Sequence, residues 1–151
     1  MNPPNPTNPR PVTGFHHAAV RAKDFDASVA FYTNVLGMTP AVGWDMSNSQ
    51  RAIMLDVGDG NYLEIFERPD APDTPLSPEP PLLHLALRTE TLEATLHAVR
   101  DAGMEVTMEP KTIDIQNTST LGGKPGLIPF FIAFFRGPDG EHIELFQSDL
   151  T

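Results

Sequence analysis

The hydrophobic pattern of the chain follows one order twice: a short strand-like stretch, a stretch with apolar residues at helical spacing, and further strand-like stretches. In the first half, the helical stretch begins at Asp24 or Asp26, either of which can cap a helix, and ends at Gly37. The predicted strands of this half are, in chain order, 14–22, about 39–46, 51–57 and 61–67.

The second half repeats this order. The segment "LLHLALR" at 82–88 is predicted to be a strand, and an amphipathic helix is predicted to follow it from Thr89 or Thr91 to Gly103. The strands predicted after this helix are 104–108, about 111–115, 129–136 and 141–147. The loop at 116–126 is too polar and glycine-rich for a core element, and we treat it as a candidate lid.

The two halves also share particular residues. The stretches "HAAVRAKDFDASVAFYTNVLGM" and "HLALRTETLEATLHAVRDAGM" each begin with a histidine, have an arginine four residues later, and end in Gly-Met. The separation from His17 to Gly37 is 20 residues, and that from His84 to Gly103 is 19. Each half ends in a strand with a glutamate between apolar residues, "YLEIF" and "HIELF". The repeat predicts an α+β fold of two βαβββ modules.

Proline-rich segments set the predicted boundaries. Five of the first twelve residues are proline, as are six residues of the segment between the halves. Prolines at this density favour extended chain without regular structure. The predicted division is a tail at 1–13, a first module at 14–67, a linker at 68–81, a second module at 82–147 and a short tail at 148–151.

Composition excludes several classes of function. A formal net charge of -10 argues against non-specific binding to nucleic acid or to anionic membranes. No apolar run approaches the roughly 20 residues that span a bilayer, and the N-terminal stretch lacks the apolar core of a secretion signal. We therefore expect a cytoplasmic protein without nucleic-acid or membrane partners. The absence of cysteine excludes disulfides, thiolate metal ligands and thiol nucleophiles.

The predicted strand "GEHIELFQ" (140–147) carries the carboxylate of Glu144 in its middle, although both faces of the strand contain apolar residues. A buried carboxylate without a partner is energetically unfavourable, so this glutamate requires one. The first strand of each module offers a histidine, and the last strand offers a glutamate. If the modules pair about a pseudo-twofold axis, four side chains meet inside one cupped sheet: His17, Glu64, His84 and Glu144. Two imidazoles and two carboxylates suit one divalent ion such as Zn, Ni, Co, Mn or Fe(II).

These residues resemble the vicinal oxygen chelate superfamily, which includes glyoxalase I, methylmalonyl-CoA epimerase, bleomycin resistance proteins and dioxygenases. The resemblance covers residues 14–147 and rests on "HHAAVRAKDFDASVAFYTNVLGM", "YLEIF", "LLHLAL" and "GPDGEHIELF". It implies paired βαβββ modules in a cupped, half-open sheet of eight strands, assembled as a homodimer. Whether one chain or two would form each metal site is left open. The metal ligands that it implies are His17, Glu64, His84 and Glu144.

The implied ligand set favours one chemistry of the superfamily. An octahedral ion with four protein ligands keeps two neighbouring positions open for a small substrate with neighbouring oxygens. This favours an isomerase or lyase of the glyoxalase I or epimerase type, in which a metal-bound enediolate forms and Glu144 or Glu64 transfers the proton. Asn34 stands where glyoxalase I enzymes commonly carry a basic residue for glutathione, so the substrate is left open. The alternatives are an extradiol-type dioxygenase and a small-molecule binding or resistance protein with a metal.

Further residues on the same strand faces as the expected ligands are predicted to bind substrate. They lie two or four positions from a ligand and are Arg21, Tyr62, Arg88 and His142. The two guanidinium groups suit an anionic substrate. His16, by contrast, is predicted to point to the opposite face from His17 and to be structural.

Overall fold

The computed structural model describes residues 11–68, 81–137 and 140–150. The strands within these residues are, in chain order, β1 (Gly14–Ala22), β2 (Thr39–Asp45), β3 (Arg51–Asp56), β4 (Tyr62–Glu67), β5 (Leu82–Arg88), β6 (Val106–Gln116), β7 (Leu127–Arg136) and β8 (His142–Gln147). The helices are α1 (Phe25–Ala30), which continues as a π-helical turn at Phe31–Val35, and α2 (Leu92–Asp101). Most of the predicted N-terminal tail and of the predicted linker, at 1–10 and 69–80, lies outside the described residues.

All the described strands form one eight-stranded sheet in the order β2-β3-β4-β1-β5-β8-β7-β6. The order is symmetric about the contact between β1 and β5, which pair antiparallel. In each module the first strand also pairs in parallel with the last, β1 with β4 and β5 with β8. The predicted pair of βαβββ modules in a cupped, half-open sheet is confirmed. The four strands that carry the expected ligands are those at the centre.

Helices cover the outer side of the sheet. Val29 of α1 belongs to a buried cluster with Ile65 of β4, and Leu96 of α2 belongs to a second buried cluster with Leu145 of β8. Burying side chains of this size is the main source of stability in such a layer. In the described part of the chain, neither helix has the length and apolar character needed to cross a bilayer.

The inner side of the sheet curls around a core of its own. Val42 of the edge strand β2 and Ile115 of the opposite edge strand β6 belong to one buried cluster, so the two edges approach each other. Phe130 and Phe146 lie in the same cluster with ring centroids 4.9 Å apart. One face of β8 packs against the outer core and the other against the inner core. Both faces of the strand that carries Glu144 are therefore apolar.

One long strand replaces two predicted ones. The sequence predicts separate strands at 104–108 and about 111–115, but β6 runs through both and shifts its register on either side of Met108. Such shifts are β-bulges, which bend a strand without ending it. Pro110 is compatible with this strand because β6 lies at the edge of the sheet, where one side of the backbone needs no partner strand.

The first helix is shorter than predicted. Of the two candidate caps, Asp24 is the one used, since its Oδ1 accepts a hydrogen bond from the backbone N of Ala27 at 3.0 Å. The α-helix ends at Ala30, and the π-helical turn continues to Val35. Gly37, with φ of 74°, ends the helical segment as predicted.

The polar loop that follows β6 binds to the opposite edge of the sheet. The backbone N of Thr118 donates to the carbonyl of Gly43 at 2.8 Å, and that of Lys124 donates to the carbonyl of Ala41 at 2.7 Å. At Gly123, where φ is 106°, a Cβ atom would lie 2.0 Å from the Ala41 oxygen, so the approach requires glycine. The loop therefore narrows the open side of the cup, and its role as a lid stays a prediction.

Candidate metal centre

Ionisable side chains from the four central strands converge at the junction of the modules. They are His17, Glu64, His84 and Glu144, and one nitrogen or oxygen atom of each lies within 4.8 Å of the others. Nε2 of His17 lies 2.9 Å from Oε2 of Glu144 and 3.2 Å from Oε2 of Glu64. Nε2 of His84 lies 3.1 Å and 3.3 Å from the same two oxygens. The cluster therefore forms within one chain.

The strand register explains this convergence. Ala19, two residues after the histidine of β1, lies opposite the glutamate of its own module and the histidine of the other module. Ala86, two residues after the histidine of β5, has the equivalent neighbours. Both alanines are fully buried and share the inner face with the histidines. Their small side chains leave space for the four larger groups. The repeated pattern His-x-Ala is a signal for this site that the sequence analysis did not use.

Burial and charge act in opposite directions on the cluster. Burial disfavours the imidazolium, but the two carboxylates outweigh it and raise the pKa of His17 to about 9. The same balance raises the pKa of His84 to about 8. Burial would raise the pKa of Glu64, yet the two imidazoles lower it to about 2. Without a cation the histidines hold protons at neutral pH, and a bound cation would replace them.

The donor set fits a divalent cation. The carboxylates of Glu64 and Glu144 are 7% and 6% exposed, so water cannot neutralise their charge effectively. Oε2 of Glu64 is buried and accepts no well-aligned hydrogen bond, despite its short distances to both imidazoles. A cation between the four groups would stabilise this oxygen. Two imidazole nitrogens and two carboxylate oxygens suit Zn, Ni, Co, Mn and Fe(II) alike.

A cavity of about 260 Å³ opens beside His84. Its other lining residues are Arg21, Met46, Gln50, Phe66, Glu67 and Leu83. The structure thus places Arg21, a predicted substrate-binding residue, at a cavity that reaches an expected ligand. The side-chain nitrogen of Gln50 is buried without a hydrogen-bond partner. The cavity wall therefore includes an N–H donor that an oxygen atom of a ligand would satisfy.

Two other predicted substrate-binding residues lie elsewhere in the cup. The guanidinium of Arg88 donates a hydrogen bond to the backbone carbonyl of Gly60. Tyr62 is 4% exposed, and its ring stacks on that of His16 with centroids 4.9 Å apart. Neither residue lines the cavity of Arg21.

His142 lies on the second module's side of the cluster. Its ring centroid is 6.5 Å from that of His84 and 4.8 Å from that of Phe134. Its Nε2 lies 3.1 Å from Oγ1 of Thr107. Burial, together with the positive charge of Arg136, lowers the pKa of His142, which favours the neutral ring. A neutral imidazole near the cluster can accept or donate a hydrogen bond to a substrate.

The predicted orientation of His16, away from His17, was wrong. The register of β1 shifts between Phe15 and His17, so the residue between them sits in a bulge and the strict alternation of faces is broken. Both imidazoles consequently lie on the inner side, with Nδ1 of His16 2.8 Å from Nδ1 of His17. Burial lowers the pKa of His16 to about 4, which keeps the ring neutral at neutral pH. The adjacent pair of histidines is the only sign of this contact in the sequence.

These features define a class of protein in which two βαβββ modules share a curled sheet and a central cluster of two histidines and two glutamates. The family model described as "Glyoxalase/Bleomycin resistance protein/Dioxygenase superfamily" matches residues 14–145. The chain therefore belongs to this superfamily, and the resemblance seen in the sequence is confirmed.

Individual relatives agree with this assignment. YwkD of Bacillus subtilis (strain 168), named as an uncharacterized protein, is 30% identical over 136 residues, which cover 88% of this chain and 95% of YwkD. Methylmalonyl-CoA epimerase from Mycobacterium tuberculosis superposes with a TM-score of 0.67 at 21% identity, over 93% of this chain and 91% of that chain. The Mn(II)-bound glyoxalase from Novosphingobium aromaticivorans gives a TM-score of 0.61 at 22% identity, over 93% of this chain and 40% of that chain. These two structures show a shared fold.

Proposed function

We propose that the protein is a divalent-metal-dependent isomerase or lyase that transfers a proton at a carbon next to a carbonyl group, in the manner of glyoxalase I or an epimerase. The observation that carries the proposal is the buried cluster of His17, Glu64, His84 and Glu144. Membership of the superfamily supports it, as does the fold shared with an epimerase and a Mn(II)-bound glyoxalase.

The four cluster residues would hold the metal ion, the histidines through Nε2 and the glutamates through their carboxylate oxygens. When bound, a divalent cation supplies positive charge that stabilises the negative charge developing on a substrate oxygen next to the reacting carbon. The two carboxylates balance the charge of the cation inside the sheet. Charge balance of this kind lets a buried ionic site persist without solvent.

We assign the proton transfer to Glu144 or Glu64. A general base must be ionised and also basic enough to hold a proton, and the pKa of about 2 that the imidazoles give Glu64 in the metal-free protein meets only the first condition. Glu144 has the shortest contact of the cluster, 2.9 Å to His17, and it contacts His84 at 3.1 Å. A carboxylate that partly releases the cation would be free to accept the proton and return it to the substrate.

The cavity beside His84 is the proposed substrate site. Arg21 suits a carboxylate or another anionic group, because a guanidinium can donate two parallel hydrogen bonds to it. The unsatisfied amide nitrogen of Gln50 suits a neutral or charged oxygen. Met46 and Phe66 supply apolar walls. Together they favour a small, oxygen-rich anion with an apolar portion.

Other expectations complete the proposal. His142 would contact the substrate from the second module, and Tyr62 and Arg88 would contact a substrate long enough to extend along the cup. We also propose module limits of 14–67 and 82–147, assembly as a homodimer and a cytoplasmic location.

Deuterium exchange tests the proposed chemistry. The chelated protein is reloaded separately with Zn, Ni, Co, Mn or Fe(II) and incubated in D₂O with 2-hydroxy acids, 2-keto acids, hemithioacetals and branched acyl thioesters. We expect deuterium at the carbon next to the carbonyl, detected by NMR, only in metal-loaded samples. Glu144→Gln should abolish exchange, whereas Glu93→Gln, a matched change at an exposed position of α2, should retain it.

Other outcomes would contradict the proposal. Tight binding of a compound without exchange under any metal would favour the binding or resistance protein. Oxygen consumption with a catechol and Fe(II) would favour the dioxygenase. Full exchange in Glu144→Gln would remove this residue as the base and leave Glu64 in that role.

A further inference from the structure

We propose that His16 is a positioning residue: together with the backbone carbonyl of Leu150, it keeps the Nδ1 proton on His17 and thereby directs the lone pair of His17 Nε2 into the cluster. The value of this arrangement for metal binding rests on the proposed function. The direction of the hydrogen bonds between Leu150, His16 and His17 does not depend on that function, and it can be tested in the metal-free protein.

His16 contacts the C-terminal end of the described chain. Nε2 of His16 lies 3.1 Å from the carbonyl oxygen of Leu150, and both groups are buried. A carbonyl oxygen only accepts hydrogen bonds, so Nε2 of His16 must carry the proton. A neutral imidazole has one N–H group, and Nδ1 of His16 is then an acceptor.

The next contact fixes His17. Its Nδ1 lies 2.8 Å from Nδ1 of His16, a distance that requires a proton between the two nitrogens. Because His16 can only accept there, His17 must donate. The Nδ1 proton of His17 is therefore held on the side away from the cluster, and Nε2 faces the carboxylates of Glu64 and Glu144. When a cation replaces the proton on Nε2, the proton that remains on Nδ1 leaves the tautomer in which Nε2 binds the cation.

The opposite direction, in which Nδ1 of His16 donates to Nδ1 of His17, is unfavourable in this structure. If His16 donated from Nδ1, its Nε2 lone pair would face the lone pairs of the Leu150 carbonyl at 3.1 Å. A doubly protonated His16 would avoid that repulsion but place a charge between the rings of Tyr62 and Phe146, whose centroids lie 4.9 Å and 4.1 Å from its own. A buried charge in such surroundings is costly.

The backbone segment that carries the Leu150 carbonyl is itself held in place by hydrogen bonds. Oγ of Ser148 accepts a hydrogen bond from the backbone N of Leu150 at 3.1 Å and donates one to the carbonyl of Pro129 at 3.0 Å. The carboxylate of Asp149 pairs with Lys124 at 3.0 Å. The C-terminal segment is therefore anchored to the second module while it orients a histidine of the first.

The test combines NMR with metal titration. Long-range ¹H–¹⁵N spectra of the full chain, metal-free and Zn-loaded, should show a slowly exchanging proton on Nδ1 of His17 and a proton on Nε2 of His16. His16→Phe keeps the ring between Tyr62 and Phe146 but removes the acceptor. We expect it to expose the Nδ1 proton of His17 to exchange and to weaken Zn binding about 10–100-fold by calorimetry.

A second variant separates hydrogen bonding from packing. His16→Asn places an amide oxygen near the position of the original Nδ1, and it should restore Zn affinity to within a few-fold of wild type. His97→Phe, at an exposed site on α2, is the matched control and should change neither readout. Wild-type Zn affinity in a folded His16→Phe variant would overturn the proposal, as would a proton assigned to Nδ1 of His16. If the wild-type chain bound no metal, the proposed function would fail, and the metal-free spectra would still decide the proton positions.

Discussion

The two modules supply equivalent ligands to one cluster, but they support those ligands differently. His17 is fully buried and contacts a second histidine, which in turn contacts the C-terminal backbone. His84 is preceded in the sequence by Leu83 and borders the cavity that contains Arg21, with 10% of its side chain exposed. His17 therefore lies on the side of the cluster that is closed to solvent, and His84 lies on the side that borders the cavity.

This difference shows how a duplicated module can specialise without losing its symmetry. The repeat fixes the ligands because the register of the central strands is the same in both halves. The residues next to each histidine then decide whether that side orients a ligand or admits a substrate. In the proposed enzyme, the His17 side of the cluster is closed by His16, whereas the His84 side borders the substrate cavity, most of whose other lining residues belong to the first module.

The largest expected effect comes from removing either histidine. His17→Ala and His84→Ala should each weaken Zn binding by more than the roughly 10–100-fold typical of a lost outer partner. Only His17→Ala should also strongly destabilise the metal-free protein, by about 3–5 kcal/mol, because it removes the fully buried imidazole between the two carboxylates and also leaves Nδ1 of His16 without its contact. Calorimetric titration and urea unfolding in chelator measure the two effects. Equal destabilisation by both substitutions would contradict the proposed asymmetry, and His97→Ala is the control.

A change at the two alanines tests the symmetric part of the comparison. Ala19→Val and Ala86→Val each add two methyl groups at equivalent places beside the cluster. Overpacking of this kind costs about 1–3 kcal/mol and should displace the ligands. We expect similar losses of unfolding free energy and of Zn affinity in both variants. Ala18→Val, on the other face of β1, should leave Zn affinity unchanged, and a large difference between Ala19 and Ala86 would contradict the pseudo-symmetry.

The pH dependence of stability tests the electrostatics of the cluster. The pKa values of His17 and His84 are raised from 6.5 to about 9 and about 8 in the metal-free protein. The folded state therefore binds these protons more tightly than the unfolded state. Their stabilising contribution is complete below about pH 6.5 and is lost as the pH rises through the folded-state values. The two shifts add up to about 4 pKa units, so chelated protein should lose on the order of 5 kcal/mol of unfolding free energy over this range. Zn-loaded protein should lose much less, and a rise in the stability of the chelated protein would contradict the sign.

The smallest expected effect concerns the two arginines. Arg21→Gln should raise the KM for an anionic substrate at least about tenfold, because it removes the charge-assisted hydrogen bonds of the guanidinium. Zn affinity should stay unchanged. Arg88→Gln removes a contact with the Gly60 carbonyl instead and should lower stability slightly with little change in KM. Steady-state kinetics on the substrate found by deuterium exchange measure both. A larger KM effect for Arg88 would move the substrate site to the other end of the cup.

Much of this architecture could be predicted because the chain contains a repeat. The spacing of the histidines and glutamates in the two halves placed the candidate ligands on equivalent strands, and the strand register brings them together. Local departures from regular geometry could not be predicted in the same way. The bulge that turns His16 inward and the one that keeps β6 continuous across Pro110 depend on tertiary packing, which the alternation of residues along a strand does not encode.

The contacts that distinguish the His17 side of the cluster from the His84 side could not be predicted from the sequence pattern either. The contact between His16 and Leu150 joins positions 134 residues apart, and no periodicity or motif links them. Arg21 and Arg88 occupy equivalent places in the repeat, yet they lie in different surroundings because the neighbouring turns and loops differ. Equivalence in the repeat therefore predicts strand position better than it predicts function.

Anomalous diffraction from crystals of the full chain grown with Zn or Co would locate a bound metal ion without relying on any substrate. We expect one strong peak per chain, bound by Nε2 of His17 and His84 and by carboxylate oxygens of Glu64 and Glu144 from the same chain. Peaks only at other residues, ligands drawn from two chains, or no peak at this cluster at saturating metal would contradict the proposed metal centre.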